Sequence, residues 1–364
     1  MRAAVLEEFG QPLVVKQVPT PELGTGEVIV DVVATRVLNY AKDVLSGERG
    51  YVLKLPVIPG PGAIGRVRRV GPDATRLAVG DWVYCDPTVR SRDDALSPDI
   101  TLQGLSARDE GGSRLQEYYG NGAWAEQVRV PTENAVPIGP IAEADAAAWC
   151  WLGTCLVPYG GLAQAGLKAG ETVLVSGATG NFGRAAVAVA LAMGAGCVIA
   201  TGRNRQVLQT LQEQFGSRVR GVALTGTEED DRAAMLRAAP GPIDLVFDIL
   251  PPMASSEQAR AAIMTVRPYG RVVLMGGINM MGGDLLQLRY NWIMRNCVTI
   301  HGVWMYPRDA PQALASMIRS GQLQIGGQEM DVFGLDQVNE AVANAAERRE
   351  SGAFRTTILK PGAG

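Results

Sequence analysis

The chain has 364 residues, 47% of them apolar and 20% charged, with a formal net charge of -3. That length exceeds what one hydrophobic core organises and predicts two domains. The mild acidity gives no electrostatic reason to bind nucleic acid or an anionic membrane, and no apolar run reaches the ~20 residues that a membrane-spanning helix needs. The N-terminal stretch from Met1 to Gly10 reads as a strand and turn, without the basic and apolar regions of an export signal. Five scattered cysteines, Cys85, Cys150, Cys155, Cys197 and Cys297, form no CxxC pair. Neither a disulfide frame nor a zinc knuckle is expected, and the default is a reduced, cytoplasmic protein.

Taken in chain order, short apolar runs at 27–33, 63–70 and 82–86 stand between Gly, Pro and Asp and predict strands of a mostly β domain. Residues 90–122 are polar and Gly-rich with little periodicity, which predicts a long excursion. The Ala-rich stretch 142–166 predicts one or two helices. From Glu171 the pattern changes. Apolar strands are expected at 172–176, 197–201, 243–249, 271–276 and 298–304, with helices at 183–194 and 205–215 among the connections. Such alternation predicts an α/β unit with a parallel sheet covered on both faces. Helices at 310–320 and 336–346 and a strand at 355–359 close the chain.

The most informative motif is Gly177-Ala178-Thr179-Gly180-Asn181-Phe182-Gly183, a GxxGxxG run that follows a predicted buried strand and opens a predicted helix. Small residues let the backbone turn tightly and approach a pyrophosphate, and the helix N-terminus offers free N–H groups. The strand–turn–helix context is what the dinucleotide reading requires. The residue that meets the adenosine ribose is expected about twenty positions beyond the last glycine. There the chain reads Thr201-Gly202-Arg203-Asn204-Arg205, a cation where NAD-binding proteins place an acid. A guanidinium complements a 2′-phosphate by paired, charge-assisted hydrogen bonds. The expected cofactor is therefore NADPH. Gly202, Arg203 and Arg205 are assigned to it with the loop, and so is Gly276, which ends a later strand.

Beyond this motif, the chain resembles the medium-chain dehydrogenase/reductase (MDR) superfamily nearly end to end. The resemblance is carried by Met1-Arg2-Ala3-Ala4-Val5, Pro59-Gly60-Pro61-Gly62-Ala63-Ile64-Gly65, Val79-Gly80-Asp81-Trp82-Val83, Gly122-Ala123-Trp124-Ala125-Glu126, Gly166-Leu167-Lys168-Ala169-Gly170-Glu171 and the loop above. It implies a GroES-like, mostly β catalytic domain over residues 1–152, completed by 305–364, and a Rossmann domain with a doubly wound parallel sheet over 153–304. It also implies a homodimer paired through the last Rossmann strand, and Thr154 beside the nicotinamide.

The departures from the zinc-dependent members define the expected chemistry. Leu38 stands where they carry a Cys ligand, and Tyr40 where they carry a Ser or Thr proton relay. Gly60-Pro61-Gly62 replaces Gly-His-Glu, the third ligand position falls near Gly153, and the 90–122 lobe contains no Cys. A catalytic zinc needs three N, S or O ligands from the protein, so no metal is expected. The single histidine, His301, lies on a predicted strand and is read as a core or interface residue. Leu38-Asn39-Tyr40 is similar to the Leu-Asn-Tyr of zinc-free enoyl and quinone reductases, and Tyr51 falls near a tyrosine of some enoyl reductases. Tyr40, Tyr51 and Asn39 are therefore the candidate donors to an oxygen that gains negative charge. The expected activity is NADPH-dependent hydride transfer to a small conjugated enone, quinone or similar carbonyl acceptor. A zinc-free alcohol dehydrogenase or carbonyl reductase, and a non-catalytic NADPH-binding protein, remain the alternatives. Trp124, Trp149, Trp151, Trp292, Trp304 and Tyr306 are read either as pocket aromatics or as core.

Overall fold

A computed structural model of the protein describes residues 1–326, 329–351 and 355–362. The chain forms two compact units, Met1–Gly153 with Gln324–Gly364, and Thr154–Leu323.

In the first unit the strand Glu27–Val37 is the spine. It pairs antiparallel with Ala63–Val70 on one side and with Gln127–Pro131 and Arg355–Lys360 on the other. The path runs Ala135–Pro137, Trp82–Cys85, Ala63–Val70, Glu27–Val37, Arg355–Lys360, Glu329–Gly334. Period-2 alternation puts Val28, Val30 and Val32 on one face, where they pack with Val67, Val83, Val128 and Val130. The spine is longer than its apolar pattern suggested, because Thr35 and Arg36 continue the strand as polar members.

The 90–122 excursion is ordered. Thr88–Arg90, Ile100–Leu102 and Ser106–Ala107 form a three-stranded antiparallel sheet, and Glu110–Tyr119 is a helix capped by Asp109, which accepts a hydrogen bond from Gly112 N at 2.9 Å. Strands of two or three residues carry too little periodicity to read. Gly112 reads as a loop residue, yet a Cβ there would stand 2.2 Å from Ile100 O. Close helix–strand packing demands it.

The second unit carries six parallel strands: β1 (Thr172–Ser176), β2 (Cys197–Gly202), β3 (Val219–Ala223), β4 (Ile243–Asp248), β5 (Val266–Leu274) and β6 (Thr299–Gly302). Their order is 3-2-1-4-5-6, the doubly wound order whose reversal point lies at β1 and β4. Leu174, Ile199, Val222, Val246 and Val272 share one core cluster. β3 and the helix Glu228–Ala238 were not anticipated. β3 exposes Arg220, and the helix is acidic over its first turn, so neither shows an apolar run. The last strand is shorter than 298–304, and His301 lies on it, half-buried. Residues 305–323, assigned from sequence to the first domain, group with the second unit. Gly160 leaves room for Met305 O and Tyr306, and Gln322 donates to Ala192 O at 3.0 Å. Among the described residues, no helix is long and apolar enough to cross a membrane.

Candidate active site

The phosphate-loop candidate sits at the reversal point of the parallel sheet. β1 ends at Ser176, and Gly177 turns with φ +89°, a conformation that favours glycine. The helix Asn181–Ala192 then starts with Gly180 as its N-cap. A Cβ on Gly183 would lie 2.0 Å from Gly177 O, so only glycine lets the helix begin this close to the turn. Gly180 is nearly unobstructed and leaves the loop open to a ligand. Thr179 packs on Gly202, whose Cβ would meet Thr179 Cγ2 at 2.3 Å. The loop and the end of β2 are thereby brought together. Asn181 and Phe182 open the helix half-buried, at an end where the first N–H groups of a helix have no acceptor within the helix itself. These residues fit a dinucleotide pyrophosphate.

Arg203 and Arg205 follow β2 directly, both exposed. Among the described residues, neither pairs with an acid. Asn204 between them caps the helix Arg205–Phe215 by accepting from Val207 N at 3.1 Å. The cap fixes where the two cations leave the sheet. Thr154 is buried in the helix Leu152–Gln164.

Two charged groups of this unit escaped the sequence reading. Arg184, on the loop's helix, is buried, and desolvation lowers it to about 10. Asp248 ends β4 with a buried carboxyl whose Oδ1 has no hydrogen-bond partner among the described residues. Gly276 leaves room for its Oδ2, which a Cβ there would meet at 2.5 Å. Burial pushes Asp248 up to about 7, against the Ser176 hydroxyl and Leu250 N–H that favour the charged form. The folded state then holds a proton that the unfolded chain has released between the ordinary carboxylate range and about pH 7. Stability should fall as pH rises through that window. Asp248→Asn is expected to remove roughly 2–4 kcal/mol of that loss. Its melting temperature should gain on the wild type between pH 5 and pH 8. Parallel melting curves across that range would count against a neutral Asp248.

In the first unit the candidate donors form a cluster. Asn39 and Tyr40 are half-buried, with Tyr40 at the N-cap of the short helix Ala41–Leu45. Tyr51 meets Tyr40 edge-on, with ring centroids 6.4 Å apart. The Arg49 guanidinium lies 4.0 Å from the Tyr40 ring centroid and 5.1 Å from that of Tyr51. Desolvation, then Tyr51, raise Tyr40 above the usual phenol range, while Arg36 and Arg49 act in the opposite sense. Tyr40 is thus a neutral hydrogen-bond donor. Of the aromatic residues, Trp124, Trp149, Trp151 and Tyr306 are buried, whereas Trp304 is about half exposed. Arg36, Arg49 and Tyr84 belong to this region and were missed. Each stands alone within an apolar or turn sequence, and no spacing marks it.

The residues present do not fit a catalytic zinc. Leu38, Pro61 and Gly153 carry no donor. Among the described residues, no three His, Cys, Asp or Glu side chains are placed to hold a metal.

Residues 24–140 match the alcohol dehydrogenase GroES-like domain, and residues 182–319 match the zinc-binding dehydrogenase domain. An alcohol dehydrogenase of Geobacillus stearothermophilus is 30% identical over 281 residues, 76% of this chain and 77% of that protein. An acryloyl-coenzyme A reductase of Metallosphaera sedula is 27% identical over 318 residues, 86% of this chain and 88% of that protein. A putative zinc-binding dehydrogenase from Sinorhizobium meliloti 1021, bound to NADP, has the same fold, with a TM-score of 0.78 at 20% identity over 99% of both chains. The glycine cradle, the doubly wound sheet and these likenesses agree: the chain belongs to the medium-chain dehydrogenase/reductase superfamily and is an oxidoreductase of that family.

Proposed function

We propose that the protein is a zinc-independent, NADPH-dependent reductase of small conjugated enones, quinones or similar carbonyl acceptors. The observation that carries this reading is the Tyr40–Arg49–Tyr51 cluster, in a chain without metal donors at Leu38, Pro61 and Gly153. When bound, the nicotinamide supplies the hydride. Gly177, Thr179, Gly180, Asn181, Phe182 and Gly183 hold the pyrophosphate, with Gly202, Gly276 and Thr154 assigned to the same cofactor. Arg203 and Arg205 take the 2′-phosphate. The NADP named for the Sinorhizobium protein supports that choice.

On the acceptor side, the Tyr40 hydroxyl donates a hydrogen bond to the oxygen on which negative charge develops, and the Asn39 amide adds a second donor. The name of the Metallosphaera protein, an acryloyl-coenzyme A reductase, is that of an enzyme acting on a conjugated acyl group and supports C=C reduction. The test is NADPH oxidation with cyclohexenone and benzoquinone, followed by product identification. A saturated ketone from cyclohexenone is expected. Cyclohexenol as product favours the carbonyl reductase that the alcohol dehydrogenase relative suggests. Cofactor binding without turnover of any enone, quinone or aldehyde makes the protein a binder rather than an enzyme.

A further inference from the structure

The first unit contains a cavity of about 410 Å³, and none of Tyr40, Arg49 and Tyr51 lines it. One side is the N-terminal hairpin, in which Arg2–Val5 pairs antiparallel with Val14–Gln17. Leu6 and Val57 exchange backbone hydrogen bonds of 2.8 and 3.1 Å, which fix that hairpin to the segment 56–58. Gly122 N in turn donates to Ile58 O at 2.6 Å. Pro19 and Pro21 follow the hairpin and line the same space. Neither can give a ladder N–H, so the chain leaves the sheet there. Val5, Val18, Val57, Ile58 and Val128 make the body of the cavity apolar. Its volume lies near the lower end of the roughly 300–1,000 Å³ of small-molecule sites.

Three side-chain amides stand in this apolar lining: Gln103, Asn121 and Gln127. Each is held by one half of its amide. Gln103 Nε2 donates to Asn121 O and to Arg129 O, both at 2.7 Å. Asn121 Oδ1 accepts from Ile58 N at 3.0 Å, and Gln127 Nε2 donates to Asp31 Oδ1 at 3.1 Å. These bonds fix which end of each amide is oxygen and which is nitrogen. The other halves are Gln103 Oε1, Asn121 Nδ2 and Gln127 Oε1, and none has a hydrogen-bond partner among the described residues. Gln103 is only 3% exposed, so bulk water does not pair its oxygen, and a buried acceptor left unpaired is unfavourable.

The charges at the cavity are already matched. Lys16 pairs with Glu7. Arg129 faces Glu27 at 3.7 Å and donates to Tyr118 O and Glu22 O at 2.9 and 3.3 Å. The Met1 ammonium donates to Val18 O at 2.9 Å, and no carboxylate lines the space. An ionised ligand gains no new ion pair there and loses its hydration. Two open acceptors and one open donor in an apolar surround complement one group above all: a primary carboxamide, whose NH₂ gives two hydrogens and whose C=O accepts one.

We propose that this cavity is a binding site for a small uncharged carboxamide carried on an apolar body. The apolar walls take the body, Gln103 and Gln127 accept from the NH₂, and Asn121 donates to the carbonyl. The site lies wholly within the first unit, needs no turnover to be observed, and stands or falls independently of the reductase reading.

The experiment titrates cyclohexanecarboxamide into the full-length wild type and follows ¹³C-labelled valine and isoleucine methyls by NMR. Saturable shifts are expected at Val5, Val18, Val57, Ile58 and Val128. Methyl cyclohexanecarboxylate, which has no N–H, and the cyclohexanecarboxylate anion should each bind at least tenfold more weakly. Two variants then test the recognition. Asn121→Asp keeps the acceptor for Ile58 N and removes the open donor, and Gln127→Met removes an open acceptor. Each should lose about fivefold in amide affinity, the scale of one net hydrogen bond, with the melting temperature held. Val18→Trp, at a half-buried position, should fill the cavity and abolish binding. Absence of shifts at the cavity methyls, with the amide raised to its solubility limit, overturns the proposal. So does an ester or carboxylate that binds as well as the amide, or an amide affinity unchanged in Asn121→Asp or in Gln127→Met. The wild-type titration needs no variant to fold.

Discussion

Tyr40→Phe is expected to lower kcat about 100-fold, the small end of the ~10²–10⁴ that a positioned general acid contributes, while the Kd for NADPH stays unchanged. The substitution removes one hydroxyl and keeps the ring that packs under Arg49 and against Tyr51. Loss of fold is therefore not the expected cause of lost rate. The cofactor loop lies in the other unit, so its affinity is a control. Because burial raises Tyr40 above the usual phenol range, the hydroxyl stays protonated up to at least about pH 10. The rate should show no phenol ionisation below that pH. Stopped or steady-state kinetics of Tyr40→Phe and Tyr51→Phe separate the roles. A full rate for Tyr40→Phe with a crippled Tyr51→Phe moves the donor to Tyr51. Full rates for both assign the proton to bound water.

Arg203→Asp is expected to invert cofactor preference. A broken charge pair costs about 2–5 kcal/mol at a desolvated site. Arg203 is exposed, and water screens it, so the low end applies. About 2 kcal/mol is roughly thirty-fold in affinity. The wild type should bind NADPH more tightly than NADH, and the variant should bind NADH better, as read by fluorescence titration. Arg205 shares the anion, so Arg205→Ala should weaken NADPH by a smaller factor. Equal dissociation constants for the two cofactors in the wild type contradict the assignment of Arg203.

The two candidate groups differ in how legible they were. The cofactor loop is local. Its strand, its glycines and its helix are contiguous, so Gly177–Gly183 can be read directly, and the structure explains Gly183, where a Cβ would lie 2.0 Å from Gly177 O. The Tyr40 cluster is assembled from separate segments of the first unit. Tyr40 and Tyr51 were readable only through resemblance, and Arg49, in Glu48-Arg49-Gly50, looks like a turn residue. Arg36 and Tyr84 sit within strands where burial and pairing, not spacing, decide what they face. The same limit hid β3 and the small sheet in 88–107. Their strands are too short or too polar to show a period, and only pairing partners far along the chain define them.

The central claim is hydride transfer without a metal. Its most direct test is turnover of cyclohexenone with NADPH by protein dialysed exhaustively against a chelator, with zinc counted by elemental analysis on the same sample. Well under one zinc per chain and a rate equal to that of undialysed protein are expected. A zinc content near one per chain, with activity lost on chelation and restored by added zinc, would contradict it.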